Sequence, residues 1–333
     1  MSIIALQRLL EKEEGNSQKP GVILGVQSAD RQIDFRGATG SAQIESPFYI
    51  ASVTKMYTAA VCMQLAEEGR LDLDSEIAAF LPASLTTGLP SVKVYQLIHQ
   101  TSGLPDYFAG NLAEDFMRNE DRAYTVADTV ALAREAKPPG PPGSGKSHYS
   151  DTNYQLLGAI IEAAAGASLP EVFQARVFDR LGLSDSYLYN HAHIRGAEPL
   201  PFYYKDLKLS LPLALTSERG AGGVVSTLDD SLRFLRGYFG GELFDSDQFR
   251  RMMEWKALFF PLQYGYGLMR FRLPPLMNPF HRTPELIGHS GSTGSFAFFD
   301  PKKSLYLAGT FNQLDKPSQP FAFMLKVVSA VSS

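Results

Sequence analysis

The chain has 333 residues, which is enough for one large domain or two modest ones with an ample core. Its hydrophobic content of 44% and charged content of 20% are ordinary for a globular protein. A formal net charge of −4 gives no bulk electrostatic reason to expect nucleic acid or an anionic membrane surface as a partner. Function must therefore be sought in local motifs.

The start of the chain predicts a helix and not a secretory signal. Residues 1–15 place apolar side chains on one face, with Arg8 and Lys12 on the opposite face. The sequence contains no run of about 18 apolar residues that could span a bilayer. We therefore expect a cytoplasmic protein without a membrane span. A chain whose leader had been removed would show the same pattern.

Cysteine and histidine usage gives little indication of a metal site. The single cysteine, Cys62, has no partner for an internal disulfide, and its apolar neighbours predict a buried thiol. The six histidines are scattered. Only His191 and His193 lie close together, and a metal site there is a minor alternative. We expect no metal and no cofactor.

Apolar periodicity and turn residues predict strands near both ends of the chain and helices in the middle. The predicted strands cover residues 20–27, 31–37, 48–51, 222–226, 265–273, 285–290, 295–300 and 304–312, the last three as an antiparallel meander. The predicted helices cover residues 52–69, 92–100, 126–136, 154–165, 169–181, 227–238 and 320–331.

This order of elements predicts an α/β (α+β) fold with one antiparallel sheet built from both termini and flanked by helices. Residues 1–80 and 215–333 would form the sheet domain. Residues 81–214 would form a mainly helical insertion, and the active site would lie in the cleft between the two.

Ser52 and Lys55 form the first motif with chemical meaning. Ser52 lies where a short apolar run gives way to a helical pattern, so we expect it at the N-cap or in the first turn. Lys55 follows one turn later on the same face and can serve as the base for a serine nucleophile. A Ser-x-x-Lys pair arises by chance about once in a chain of this length. The plain alternative is a capping serine followed by a solvated lysine.

Two later stretches contain residues that such a nucleophile needs. Tyr149 precedes a predicted helix, where a phenol can share a proton with a lysine. The plain alternative is a half-buried tyrosine with Asp151 as helix cap. Gly291 and Ser292 follow the strand that carries His289, and small residues there let a substrate lie against the strand edge. The N–H of Ser292 can face an oxyanion. The plain alternative is a strand end with a glycine turn.

Residues 140–147 match the P-loop pattern G-x-x-x-x-G-K-[ST] through Gly140, Gly145, Lys146 and Ser147. A P-loop requires a buried strand that delivers the glycines to a helix N-terminus. Here the preceding residues predict an amphipathic helix that runs into two prolines. A P-loop NTPase therefore stays the weaker alternative. The α/β-hydrolase pattern G-x-S-x-G fails at its last position, and no histidine follows His289.

The three motifs together resemble the family of penicillin-binding proteins and serine β-lactamases. The branch that is most similar contains class C β-lactamases, D-alanyl-D-alanine carboxypeptidases, D-aminopeptidases and β-lactamase-like carboxylesterases. The similar segments are residues 52–55 (S-x-x-K), 149–151 (Y-x-N) and 289–291 (K/H-x-G), supported by 97–104, 221–229 and 264–268.

The resemblance implies a β-lactamase/transpeptidase-like fold and a serine hydrolase that forms an acyl-enzyme on a small ester or amide. Ser52 would be the nucleophile, with Lys55 and Tyr149 moving protons. The family has a Pro-Gly loop just before its tyrosine, which would make the P-loop match a coincidence. The expected partner is a small-molecule acyl substrate, and the oligomeric state is left open.

The resemblance also implies four substrate-binding residues. Asp151, His289, Gly291 and Ser292 would contact substrate, with the N–H groups of Ser52 and Ser292 as an oxyanion hole. His289 would bond to Tyr149 or to a carboxylate of the acyl group.

Asp151 departs from the family pattern, which has asparagine at this position. An amide can donate a hydrogen bond to a substrate carbonyl, whereas an ionised carboxylate can only accept one. This departure makes β-lactam and peptidoglycan substrates less expected and leaves esters and other small acyl compounds open. The alternative is a non-catalytic acyl sensor or binding protein on the same fold, and Asp151 is the sequence feature that favours it.

Overall fold

A computed structural model describes residues 2–13, 20–108, 111–273 and 284–331 of the chain. The strands in the described part are β1 (Ile23–Ser28), β2 (Asp34–Ala38), β3 (Phe48–Tyr49), β4 (Tyr187–Leu188), β5 (Phe202–Tyr204), β6 (Leu207–Leu209), β7 (Val224–Ser226), β8 (Lys256–Phe259), β9 (Leu262–Tyr264), β10 (Met269–Arg272), β11 (Glu285–Ser290), β12 (Phe296–Asp300) and β13 (Leu305–Thr310).

The helices in the same part are α1 (Ser2–Lys12), α2 (Thr54–Glu67), α3 (Ala83–Thr86), α4 (Val94–Ile98), α5 (Asn111–Met117), α6 (Val126–Glu135), α7 (Asp151–Ala165), α8 (Leu169–Phe173), α9 (Asp179–Leu181), α10 (Pro212–Ser217), α11 (Arg219–Gly222), α12 (Leu228–Phe239), α13 (Ser246–Met252) and α14 (Gln319–Val331). Single 3₁₀ turns cover Ala51–Val53 and Ile77–Ala79. A π-type turn over Gln174–Phe178 connects α8 to α9.

The main sheet draws its strands from both ends of the chain. Its order is β2-β1-β13-β12-β11-β10-β9-β8, and every neighbouring pair is antiparallel. The hairpin of β1 and β2 joins the C-terminal strands through β13, where Val26 faces Leu307. The predicted fold class and the predicted meander of β11, β12 and β13 are confirmed.

Helices cover both faces of this sheet. On one face, Leu6 and Leu10 of α1 pack with Phe323 and Val327 of α14 in one apolar cluster. On the other face α12 approaches so closely that a Cβ at Gly25 would lie 2.8 Å from the side chains of Leu228 and Leu232. Helix α2 lies deeper still and is buried over nearly its whole length, because α7 and α11 pack against it.

Several short elements were missed or misplaced by the sequence analysis. Strands β8 and β9 were not predicted, and the strand expected over residues 265–273 is only Met269–Arg272. Three short strands, β4 to β6, fall inside the region expected to be helical. Strands of two to four residues carry too little periodicity to be recognised without their partners. The domain limits stay a prediction.

The predicted helix ends also shift. Helix α7 begins at Asp151 and not at Tyr154. Helix α1 is confirmed over Ser2–Lys12, and residues 1, 14 and 15 of that prediction lie outside the described part. Cys62 is fully buried and free, as predicted. Within the described ranges no single helix is long and apolar enough to cross a membrane, and one helix pair bent by 79° passes that test by length and composition only.

Candidate active site

Ser52 lies at the end of a backbone segment that is held on two sides. On one side β3 pairs with β7, and the Ile50 N–H donates to the Val224 carbonyl at 3.1 Å. On the other side the Ser295 hydroxyl donates to the Ile50 carbonyl at 2.7 Å. Between them Ala51 has φ of 45°, a left-handed conformation that costs strain for a residue with a Cβ. The packing on both sides thus fixes where the Ser52 side chain points.

Ser52 is part of the 3₁₀ turn Ala51–Val53, directly before α2. Its location at a helix start agrees with the sequence prediction. The side chain is half-buried and lines a cavity of about 240 Å³. A serine oxygen here is both fixed and open to a small molecule.

Lys55 is completely buried beneath Ser52, and three oxygens surround its amine. Nζ donates hydrogen bonds to the Ser52 Oγ at 3.0 Å and to the Ala221 carbonyl oxygen at 2.7 Å. It also forms an ion pair with Oδ1 of Asp151 at 2.6 Å. The amine of Lys55 therefore links the Ser52 hydroxyl to the Asp151 carboxylate.

Tyr149 lies in the same cavity wall as Ser52. Its side chain faces Ser52, and its ring centroid lies 5.1 Å from the Lys55 Nζ. Burial and the nearby Asp151 charge raise the pKa of the Tyr149 phenol well above its ordinary value. The phenol is thus protonated at neutral pH and can exchange a proton with Ser52 or a leaving group.

Asp151 is the first residue of α7, at the positive end of the helix dipole. Its backbone N–H donates to Oδ1 of Asp106 at 3.0 Å. Its own carboxylate faces Lys55 and lines the cavity. The residue that departs from the family motif is therefore in direct contact with the lysine, which the sequence analysis had not foreseen.

The segment after β11 forms the opposite wall of the cavity. Ser290, Gly291 and Ser292 line it, and the Gly291 N–H donates to the Ser295 carbonyl at 2.8 Å. A Cβ at Gly291 would lie 2.5 Å from the Ile50 carbonyl oxygen and 3.0 Å from the Ala51 Cβ. A glycine is required here because this wall touches the segment that leads to Ser52.

His289 is fully buried and is not among the residues that line the cavity. Its Nε2 lies 3.3 Å from the Tyr264 hydroxyl and its Nδ1 2.8 Å from the Ser290 carbonyl oxygen. Burial, with the nearby Lys55 charge, lowers the pKa of His289 to about 3. The ring is therefore neutral at physiological pH. The contact of His289 with Tyr149 or with an acyl carboxylate stays a prediction.

Glu218 is a cavity residue that the sequence analysis missed. Its Oε1 accepts hydrogen bonds from the hydroxyls of Tyr107, at 3.3 Å, and Tyr124. Burial, followed by the charge of Asp151, raises the pKa of Glu218 to about 7. The same two causes raise the pKa of Asp106 to about 7. The sequence offered only a weak signal for Glu218, namely its location three residues before the supporting segment 221–229.

The remaining cavity wall is mostly apolar and comes from residues far apart in the sequence. Its larger side chains are those of Tyr49, Phe108, Phe116 and Leu215. None carries a motif, so the sequence analysis could not assign them to the site. The cavity thus combines the Ser52 side chain with an apolar recess.

The loop that matches the P-loop pattern has no P-loop geometry. It follows α6, and helix α7 begins only after Ser150. The Ser147 hydroxyl donates to the His99 carbonyl at 3.1 Å, and the Gly143 N–H donates to the Thr101 carbonyl at 2.8 Å. These groups are used to hold the loop, and no strand delivers the glycines to a helix start.

Comparison with known proteins agrees with this geometry. The profile of the family described as "Beta-lactamase" matches residues 6–328. The chain belongs to the beta-lactamase family. The resemblance inferred from the three motifs is confirmed.

Two curated members of this family are similar in sequence. Penicillin-binding protein 4 of Amycolatopsis lactamdurans is 30% identical over 215 residues, covering 60% of this chain and 53% of that protein. A putative D-alanyl-D-alanine carboxypeptidase of Escherichia coli K12 is 24% identical, covering 88% of this chain and 78% of that protein. The chain spans about half the length of two curated relatives that it matches, 53% of one and 47% of the other.

A solved structure agrees over a greater length. The D-stereospecific amidohydrolase from Streptomyces sp. has a TM-score of 0.83 and 25% identity, with 98% of each chain covered. The beta-lactamase family member described here therefore shares its complete fold with a known amidohydrolase.

Proposed function

We propose that this chain is a serine hydrolase that cleaves a small ester or amide through an acyl-enzyme on Ser52. The observation that carries the proposal is that Ser52 Oγ lies in a cavity while it contacts both Lys55 Nζ, at 3.0 Å, and Tyr149. A serine with two proton-transfer partners in reach is an activated nucleophile. The family membership supports the same reaction class.

The reaction proceeds in two stages. The Ser52 oxygen attacks the substrate carbonyl carbon, and the hydroxyl proton of Ser52 passes to the amine of Lys55. The backbone N–H groups of Ser52 and Ser292 stabilise the oxyanion, and losing one such donor typically costs about 10²–10³-fold in rate. Tyr149 passes a proton to the leaving group and later helps to activate the water that releases the acyl group.

The size and lining of the cavity favour a small acyl compound. A cavity of about 240 Å³ with Phe108, Phe116 and Leu215 in its wall accommodates a short apolar group beside the reacting carbonyl. Relatives include proteins named as an amidohydrolase and as a carboxypeptidase, so amide substrates belong in the first screen beside the esters.

The test combines covalent labelling with turnover. Intact mass after treatment with a fluorophosphonate should show one adduct, located on Ser52 by peptide mapping and absent from Ser52→Ala. The control Ser184→Ala, which changes an exposed serine outside the cavity, should label as the parent does. No adduct, or an adduct that persists in Ser52→Ala, would overturn the proposal.

Turnover separates a hydrolase from a non-catalytic acyl-binding protein. A panel of p-nitrophenyl esters, nitrocefin and D-amino acid amides should give continued product release with at least one substrate. A single burst without further release would favour the acyl sensor instead.

A further inference from the structure

The chain of contacts Ser52, Lys55 and Asp151 has the form of a proton relay. Nζ of Lys55 lies 3.0 Å from the Ser52 oxygen on one side and 2.6 Å from the Asp151 carboxylate on the other. Its third acceptor is the Ala221 carbonyl, which cannot take up a proton at physiological pH. Of the three oxygens around Nζ, therefore, the ion-paired carboxylate of Asp151 is the one that can receive a proton from Lys55.

We propose that Asp151 accepts a proton from Lys55 while Lys55 accepts the proton of Ser52, so that a carboxylate at the asparagine position drives nucleophile activation. This inference rests on the proposed acyl-enzyme chemistry. Asp151 acts on the reaction through Lys55 and is in this sense a positioning residue. It need not touch the substrate.

The transfer balances at each atom. The O–H bond of Ser52 breaks and a new N–H bond forms on Lys55. A different N–H bond of Lys55 breaks and an O–H bond forms on Asp151. Lys55 stays an ammonium, Asp151 becomes a carboxylic acid, and the electron pair left on the Ser52 oxygen bonds to the carbonyl carbon. Tyr149 then gives its proton to the leaving group and recovers one from Lys55, which in turn recovers one from Asp151.

Asp151 lies near two further carboxyl groups, those of Asp106 and Glu218. Asp151 has both the helix start of α7 and the Lys55 ammonium to stabilise its negative charge. Burial and the charge of Asp151 raise the pKa of both Asp106 and Glu218 to about 7. The titratable groups that face the pair from the packed elements are Asp106, Glu218, Tyr149, Tyr154, Tyr264 and His289.

The relay differs from the asparagine arrangement in a measurable way. With an amide at residue 151, the Lys55 amine must lose a proton to solvent before it can accept one from Ser52. With a carboxylate at residue 151, a protonated Lys55 can accept the proton of Ser52, because Asp151 takes up one of the protons already on Lys55. The relay therefore allows Ser52 to react at lower pH than an asparagine variant would.

The experiment is the pH dependence of Ser52 labelling by a fluorophosphonate in the parent chain, Asp151→Asn and Asp151→Glu. We expect the rising limb of the Asp151→Asn profile to move to higher pH, because this variant has no carboxylate to take a proton from Lys55, which must then lose it to solvent before it can accept one from Ser52. In Asp151→Glu the rising limb should stay at the pH of the parent, and the labelling rate should be lower. The control Asp230→Asn changes a buried carboxylate that is hydrogen-bonded to Ser186 and should not move the limb.

Two results would overturn the relay. One is an Asp151→Asn profile that matches the parent, and the other is loss of labelling at every pH, which would make Asp151 a structural residue. If Asp151→Asn does not fold, Asp151→Ala with added formate replaces it. Formate, unlike chloride, should restore labelling, and failure to do so overturns the relay. A parent chain that never labels Ser52 would instead refute the proposed function.

Discussion

The Nζ of Lys55 lies 2.6 Å from Oδ1 of Asp151, and this pair joins the nucleophile helix α2 to the first residue of α7. The two residues are 96 positions apart in the chain. Lys55 is completely buried, whereas 16% of the Asp151 side chain is exposed to the cavity. The pair is therefore at once a structural link between two helices and part of the cavity wall.

Replacing Lys55 by methionine should separate these two roles. Lys55→Met leaves Asp151 without its partner, so we expect the free energy of unfolding to fall by about 1–3 kcal/mol. Ser52 labelling should fall by about 10²–10⁴-fold. The double variant Lys55→Met/Asp151→Asn should recover stability in urea unfolding, but not labelling. A double variant as unstable as Lys55→Met would mean that the unpaired carboxylate is not the cause.

Removing the Tyr149 hydroxyl should affect rate and not folding. In Tyr149→Phe the ring can keep its packing against Tyr264 and His289, while the contact with Ser52 is lost. We expect the rate of acyl transfer to fall by about 10²–10⁴-fold, with an unchanged melting temperature. The matched control is Tyr238→Phe, which removes a buried hydroxyl that contacts Met252. Equal rates for the two variants would show that the Tyr149 phenol has no part in proton transfer.

A methyl group at Gly291 should disturb the wall that positions Ser52. The new Cβ would lie 2.2 Å from the Ser295 Oγ and 2.5 Å from the Ile50 carbonyl oxygen, and that carbonyl belongs to the backbone. We expect Gly291→Ala to lose about 1–3 kcal/mol of stability and at least about tenfold in labelling rate.

The comparison variant for Gly291→Ala is Gly145→Ala. A Cβ at Gly145 has no atom within 4 Å, so its stability should stay within about 0.5 kcal/mol of the parent. Gly145 does not line the cavity that contains Ser52, so the labelling rate of this variant should match that of the parent. A normal melting temperature for Gly291→Ala would contradict the predicted clash.

Glu218 should make stability depend on pH. The folded chain raises the pKa of Glu218 from 4.5 to about 7, because the carboxyl group is buried near Asp151. A raised folded-state pKa contributes stability that is fully present below about 4.5 and is lost as pH rises towards 7. Glu218→Gln cannot ionise, so its stability relative to the parent should increase from about pH 5 to about pH 8.

Urea unfolding of Glu218→Gln and of the parent, at about pH 5 and at about pH 8, measures the difference in their free energies of unfolding. The control is Glu135→Gln, which changes an exposed side chain and should give the same difference at both pH values. A constant difference for Glu218→Gln would show that Glu218 does not titrate in this range.

Local pattern was enough to predict the contact of Ser52 with Lys55. A hydroxyl at a helix start and an amine one turn later lie on the same face, so this contact follows from helix geometry. Long strands and amphipathic helices were also predictable, because burial on one face leaves a period in the sequence. Tyr149, Gly291 and Ser292 were candidates from their local sequence, and the family resemblance then supported them together.

Only the tertiary structure decided what surrounds that pair. Asp151, expected beside the substrate, contacts Lys55, and the two nitrogens of His289 face Tyr264 and Ser290. Glu218 reaches the cavity through the packing of α11 against α2 and α7. These contacts depend on how distant elements pack, so the hydrophobic period of a single segment does not predict them. The sequence therefore determined the contact of Ser52 with Lys55, whereas packing decided which charged groups surround the two residues.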